Sequence, residues 1–174
     1  MSTVVGVACA SGVVLAGDRV ATADGHVRSR SRQHVFDFGR AGVAVVVADV
    51  DGFVDRLDSE IRTYRMERGE LRIDPFTRTV SDLAAEFDVS GVVAGYDGAD
   101  DPVLRSVVAD GSSTEDDLTA FGSGAPVALG VLEADHDPDA TLDAAATLAR
   151  DALHAAAERD AGTGTDVDTY RLSA

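Results

Sequence analysis

The sequence predicts an α+β fold in which antiparallel sheets are covered by helices. Three observations carry this. Strand-like segments come in blocks, with two hairpins opening the chain and two strands returning over 91–109. Helical segments also come in pairs, two between the strand blocks and two after them. Short Gly-containing turns join the strands, whereas parallel strands need a long crossover each time.

Residues 3–10, TVVGVACA, are rich in β-branched side chains and read as a strand. Ser11-Gly12 marks a turn, and VVLAG (13–17) reads as a second strand ended by Asp18 and Arg19. Residues 22–33 are polar and read as irregular. HVFDF (34–38), the turn GRAG (39–42) and VAVVVA (43–48) form a second hairpin. From 50 to 68, Val50, Phe53, Val54, Leu57, Ile61 and Tyr64 recur at three and four and give a helix one apolar face, with Gly69 as its stop. Pro75 precedes a second helical pattern carrying Val80, Leu83, Ala84 and Phe87. Strands follow at GVVAGY (91–96) and PVLRSVVA (102–109), each closed by an Asp-Gly turn. A helical block covers 124–159, broken near its middle by Pro138. Its second half has an alanine-rich face that permits close packing. DTYRL (168–172) reads as a short last strand. No linker, repeat or low-complexity tract appears, so residues 1–174 are expected to form one domain.

The chain has 174 residues, a net charge of −16, no lysine, no asparagine and no tryptophan; all 15 basic residues are arginine and 24 of the 31 acids are aspartate. Such a charge argues against nonspecific nucleic-acid binding and against adhesion to anionic membranes. No apolar stretch reaches the roughly 18 residues of a membrane span, and no basic segment with an apolar core opens the chain. Cys9 is the one cysteine, so no internal disulfide forms; together these point to a reducing cytoplasm, with Cys9 read as a buried packing residue. Short carboxylates in place of lysines suit a salt-rich, halophilic cytosol, where concentrated salt screens their repulsion, and also suit a GC-biased genome.

Four local features bear on chemistry. The opening Met1-Ser2-Thr3 leaves Ser2 at the N-terminus once Met1 is removed. A terminal serine carries a hydroxyl nucleophile and an α-amine of pKa about 8, close to what a general base needs. Gly122-Ser123-Gly124 allows backbone N–H groups to approach a ligand, or simply a tight turn; Phe121 excludes a nucleophile elbow. Arg159-Asp160-Ala161-Gly162-Thr163-Gly164 reads as a helix end whose carboxylate and hydroxyl could orient an amine. Asp135-His136-Asp137-Pro138-Asp139 has metal-ligand types but reads as a solvated loop, so neither metal nor cofactor is expected. His26 and His154 have no partner pattern.

Taken together, these segments resemble β-type subunits of the archaeal 20S proteasome, in the N-terminal-nucleophile hydrolase superfamily. STVVGVACASGVVLAGDRVAT is similar to that family's first hairpin, EIRTYRMERG to the end of its first helix, FGSGAPVALGVLE to the opening of its third helix and ERDAGTG to its site-closing loop. The resemblance implies a four-layer αββα sandwich, a ring of like subunits with α-type partners, a polypeptide substrate and threonine-type peptidase chemistry. It implies Ser2 as nucleophile, Asp18 as the acid, Ser123, Asp160 and Thr163 as supporting groups, and Thr22 as a contact to the substrate backbone.

Three positions depart from the family pattern. The nucleophile is Ser where the family has Thr, which removes the methyl group that fixes its rotamer. His34 stands where the family has a lysine; a protonated histidine could serve, but an ordinary pKa of about 6.5 leaves it mostly neutral at pH 7, with Arg32 an alternative cation. The oxyanion-hole glycine falls on Val45 or Val47. Two readings follow: a serine-type N-terminal-nucleophile peptidase acting in intracellular protein degradation, or a catalytically inactive subunit that builds a ring or chamber. Another amide-cleaving enzyme or a small-molecule binder on the same scaffold stands behind them.

Overall fold

The computed structural model describes residues 1–174. In chain order the elements are β1 (Thr3–Cys9), β2 (Gly12–Asp18), β3 (Ala21–Ala23), β4 (His26–Ser29), β5 (Val35–Asp37), β6 (Ala41–Val46), α1 (Val50–Arg68) and α2 (Ile73–Phe87). They continue with β7 (Ser90–Tyr96), β8 (Pro102–Val107), β9 (Ser113–Glu115), β10 (Leu118–Gly122), α3 (Ala125–Asp135), α4 (Leu142–Arg159) and β11 (Val167–Ser173). One antiparallel sheet has the order β10-β1-β2-β11 and the other the order β5-β6-β7-β8-β9. The α+β class with antiparallel sheets is as the strand blocks predict.

Side-chain alternation explains the layering. On β1 and β2, Val4, Val13 and Leu15 face the second sheet, where they meet Ala44, Val92, Ala94 and Leu104. Val5, Val7, Val14 and Ala16 face the other way, against Ala145, Ala149, Ala152 and Ala156 of α4. The first hairpin therefore has two buried faces, which is why its sequence is continuously apolar rather than alternating. The alanines let α4 lie close to β1 and β2 while keeping high helix propensity. On the opposite side, Phe53, Leu57, Ile61 and Phe76 of α1 and α2 pack on Val43, Val45 and Val93. The result is α3/α4, sheet, sheet, α1/α2: four layers.

Helix ends follow local chemistry. Asp49 caps α1 by accepting the Gly52 N–H at 3.0 Å, and Thr141 caps α4 by accepting the Ala144 N–H at 3.2 Å. Pro75 lies within the first turn of α2 rather than before it, a place where its missing N–H costs no helical bond.

Several expected boundaries shift. Part of the polar 22–33 segment folds into the small β3–β4 hairpin. The second hairpin is shorter, with His34 just ahead of β5 and β6 ending at Val46. β9 and β10 have no sequence signal; STE carries no apolar residue, and LTAFG is too short to show a period. Cys9 is partly exposed rather than buried, since it ends β1 next to the Ala10-Ser11 turn.

Gly6 sets the spacing between the sheets. A Cβ there would lie 2.7 Å from Leu104 Cδ1 and 2.8 Å from Val92 Cγ1. Gly6→Ala is expected to destabilise the fold by about 1–3 kcal/mol through overpacking, read as a lower denaturation midpoint at constant salt.

Candidate active site

The N-terminal end of β1 is held by backbone pairing and one buried carboxylate. β1 pairs with β10 so that Thr3 faces Gly122, and the Ser123 N–H donates to the Ser2 carbonyl at 3.2 Å. Gly122 has φ of +106°, and a Cβ on it would sit 1.8 Å from the Ser2 carbonyl oxygen. A side chain at 122 would therefore both strain the backbone and displace Ser2. Asp18, wholly buried at the end of β2, accepts the N–H groups of Thr3 at 2.8 Å, Val20 at 2.9 Å and Gly164 at 2.6 Å. Burial pushes its carboxyl above the ordinary value, against these three donors and nearby His34, which pull it down. Next to it, Arg19 makes a two-point pair with Asp168 of β11, at 2.9 and 2.5 Å.

A chain of hydroxyls runs from this clamp to a second carboxylate. Thr163 Oγ1 donates to Asp160 Oδ2 at 2.6 Å, and Ser123 Oγ donates to the same oxygen at 2.6 Å. Each hydroxyl has one proton, so Thr3 Oγ1 must donate to Thr163 Oγ1, 2.7 Å away, while accepting the Gly124 N–H at 2.9 Å. Gly124 permits this approach, for a Cβ there would come within 2.6 Å of Thr163 Oγ1. Burial of Asp160 would raise its pKa, but the Ser123 and Thr163 hydroxyls, the Gly162 N–H and the N-terminal ammonium together hold it below the usual carboxylate range. Thr3, fully buried at the centre of this chain, is absent from the sequence-derived site; its type and place gave no signal beyond adjacency to Ser2.

The Ser2 hydroxyl faces a different neighbour. Its Oγ lies 3.4 Å from His34 Nδ1, and His34 Nε2 lies 3.2 Å from the Val20 carbonyl. A carbonyl only accepts, so Nε2 carries the proton and Nδ1 presents a lone pair to the serine. Burial lowers the His34 pKa, outweighing the Asp18 charge that favours the cation. His34 is thus a neutral imidazole at pH 7, not the protonated stand-in for lysine. Arg32, the other candidate cation, pairs instead with Asp51 at 2.7 Å.

Ser2 and His34 line a cavity of about 410 Å3 together with Thr22, Arg28, Val47 and Ala48. Of the two candidate oxyanion donors, Val45 is fully buried in the core under α1, and its N–H is held by the His34 carbonyl at 2.9 Å. It has no donor to offer. Val47 follows the end of β6, and its N–H makes no hydrogen bond within the chain. Thr22 holds the Met1 residue at the cavity rim: the Met1 ammonium donates to its carbonyl at 3.0 Å and to its hydroxyl oxygen.

Two of the other three histidines are occupied. His136 Nε2 lies 2.8 Å from the Ala8 carbonyl, and His154 Nε2 3.1 Å from that of Thr165. No group of three or more His, Cys, Asp or Glu side chains is placed to hold a metal ion. No helix is long and apolar enough to cross a membrane.

Two outcomes follow. Thr163→Val strands the Thr3 hydroxyl and removes one donor from Asp160, so it should cost about 1–3 kcal/mol, while Thr163→Ser keeps the chain and costs less; thermal denaturation distinguishes them. The lowered His34 pKa means that the unfolded chain takes up this proton first. Its contribution is complete above about pH 6.5 and is lost as pH falls toward the folded-state value. The parent should therefore lose stability faster than His34→Gln on acidification through that range, by at most about 1.4 kcal/mol per pH unit, read by urea denaturation of both proteins.

Comparison with known proteins agrees with this architecture. A family profile described as proteasome subunit matches residues 1–172. "Proteasome subunit beta" of Methanothrix thermoacetophila is 32% identical over 181 residues, spanning 99% of this chain and 87% of that one. "Proteasome subunit beta 1" of Staphylothermus marinus is 34% identical, spanning 98% and 84%. "Proteasome subunit beta" of Halorubrum lacusprofundi is 32% identical, spanning 96% and 71%. With the profile covering nearly every residue and β subunits similar along the whole length, this chain belongs to the proteasome subunit family.

Proposed function

We propose that this chain is a β-type proteasome-like subunit that cleaves peptide bonds in intracellular protein degradation, with the Ser2 hydroxyl as nucleophile. The observation that carries this reading is the position of Ser2 Oγ: it lines an open cavity, lies 3.4 Å from a ring nitrogen with a free lone pair, and starts a strand fixed on both sides. Removal of Met1 frees the Ser2 amine. The hydroxyl proton then has two acceptors beside it, that amine and His34. The Val47 N–H serves the developing oxyanion, an interaction that acts where charge appears. Thr22 holds the substrate backbone, a role supported by its grip on the Met1 backbone in the intact chain. Asp18, Ser123, Asp160 and Thr163 hold the serine in place.

The substrate is a polypeptide, with the cavity receiving one side chain next to the cleaved bond. Residues 1–174 act as one domain, in a ring of like subunits stacked with α-type subunits. The aspartate-rich, lysine-free composition supports a salt-rich cytoplasm as its setting.

A second reading, an inactive subunit that builds the ring, has its own support. The Ser123 and Thr163 hydroxyls are both spent on Asp160, and Asp18 is spent on three backbone N–H groups, so each has a structural task without catalysis.

Intact mass before and after treatment with an electrophilic peptide, in high salt, separates the two. Loss of Met1 and one adduct that maps to Ser2 and disappears in Ser2→Ala is the expected result. An unmodified protein with Ser2 at its N-terminus and no peptide turnover would establish the ring-building role instead.

A further inference from the structure

The geometry points to His34 Nδ1 as the acceptor of the Ser2 hydroxyl proton, so that Ser2 and His34 form a serine–histidine dyad and the N-terminal amine is not the essential base. This rests on Ser2 being the nucleophile. It goes further by assigning the proton to a side chain 32 residues away in sequence.

Three features of the site carry it. The first is the tautomer. The Val20 carbonyl takes the Nε2 proton, which leaves the Nδ1 lone pair as the ring's only polar function on the serine side. A dyad needs an imidazole held in this way, with one nitrogen anchored and the other aimed at the hydroxyl. The second is rigidity. His34 is 3% exposed, and its own carbonyl is held by the Val45 N–H at 2.9 Å, so ring and backbone are both fixed. The third is the identity of the nucleophile. The present 3.4 Å separation must close by a few tenths of an ångström to reach the working range of about 2.6–3.2 Å. A serine does this by rotating about χ1, whereas a threonine must also find room for its methyl. Ser2 and His34 thus suit one another, and the two departures from the family pattern become one change.

The charged groups around the ring favour this use. Asp18 on β2 stabilises the imidazolium as it forms, while Arg32 ahead of β5 disfavours it at rest. Arg28 on β4 and Asp88 after α2 line the same cavity. With burial added, the ring is neutral and ready to accept a proton near neutral pH.

The steps balance. Ser2 Oγ bonds to the peptide carbonyl carbon as its proton moves to Nδ1, and the carbonyl electron pair goes to oxygen. Collapse breaks the C–N bond, and the Nδ1 proton passes to the leaving amine, giving an ester on Ser2. Water then gives a proton to Nδ1 as its oxygen attacks the ester. Collapse breaks the ester bond, and the proton returns to Ser2 Oγ.

The test is the pH dependence of Ser2 acylation by a peptide β-lactone, followed by intact mass in high salt. For the parent, the rate should rise with a midpoint below about 6.5 and be flat above pH 7.5; an amine base would put the midpoint near 8. His34→Gln should lower the plateau rate by about 100-fold or more. His34→Lys should restore part of it with the midpoint moved to alkaline pH, which a purely structural role would not produce. The 15N signals of His34 should show a protonated Nε2 and a bare Nδ1 at pH 7. A parent midpoint near 8, or His34→Gln acylated within threefold of the parent, overturns the dyad and leaves Ser2 as nucleophile. No adduct on Ser2 at any pH in any of the three proteins overturns the nucleophile itself, and the dyad with it.

Discussion

A single buried carboxylate organises this site. Asp18 gathers three backbone N–H groups from the start of β1, the segment after β2 and the loop beyond α4. These segments come from the beginning and the end of the chain; the β1–β2 and β2–β11 pairings bring them together, and one side chain then accepts from all three. Hydrogen bonds to an ionised acceptor contribute about 1.5–3 kcal/mol each, offset here by the cost of taking the carboxyl out of water. An asparagine could not replace it, since its NH2 would oppose at least one of the donors. Ser2 stands where it does because Thr3 is pinned there.

Around that clamp the polar groups divide into two sets. Asp160 draws the Ser123 and Thr163 hydroxyls toward itself and, through Thr163, orients Thr3. Ser123 and Asp160 line a neighbouring cavity, which shares Met1 and Thr22 with the one that Ser2 and His34 line. The division gives the scaffold a rigid half, in which every proton has an assigned acceptor, and a reactive half, in which one hydroxyl proton lies beside one free lone pair.

Much of this was legible in the residues, and the gaps have physical causes. The first hairpin, α1 and the division of 124–159 into two helices at Pro138 all follow from composition and periodicity. The roles of Asp18, Ser123, Asp160 and Thr163 follow from the resemblance to the family's motifs; the residues alone mark only two glycine-bounded loops and the end of an apolar strand. The tautomer of His34 could not be read from the sequence. It depends on the Val20 carbonyl, which the chain brings to the ring from 14 residues away. Val45 and Val47 look alike in a run of valines; only the strand end at Val46 separates a residue whose N–H is taken from one whose N–H is free. Thr3 reads as one more β-branched strand residue, and its hydroxyl acquires a partner only once residue 163 arrives.

That last contact has a temporal meaning. Thr3 and Thr163 are 160 residues apart, near the full length of the chain. At synthesis rates of roughly 5–20 residues per second, the first serine leaves the ribosome many seconds before residue 163 exists. Neither the Gly164 N–H nor the Thr163 hydroxyl is available to hold the strand until translation is almost over. A nascent β1 therefore carries a potential nucleophile with nothing to aim it, and the site comes into being only when the tail of the molecule closes over its head.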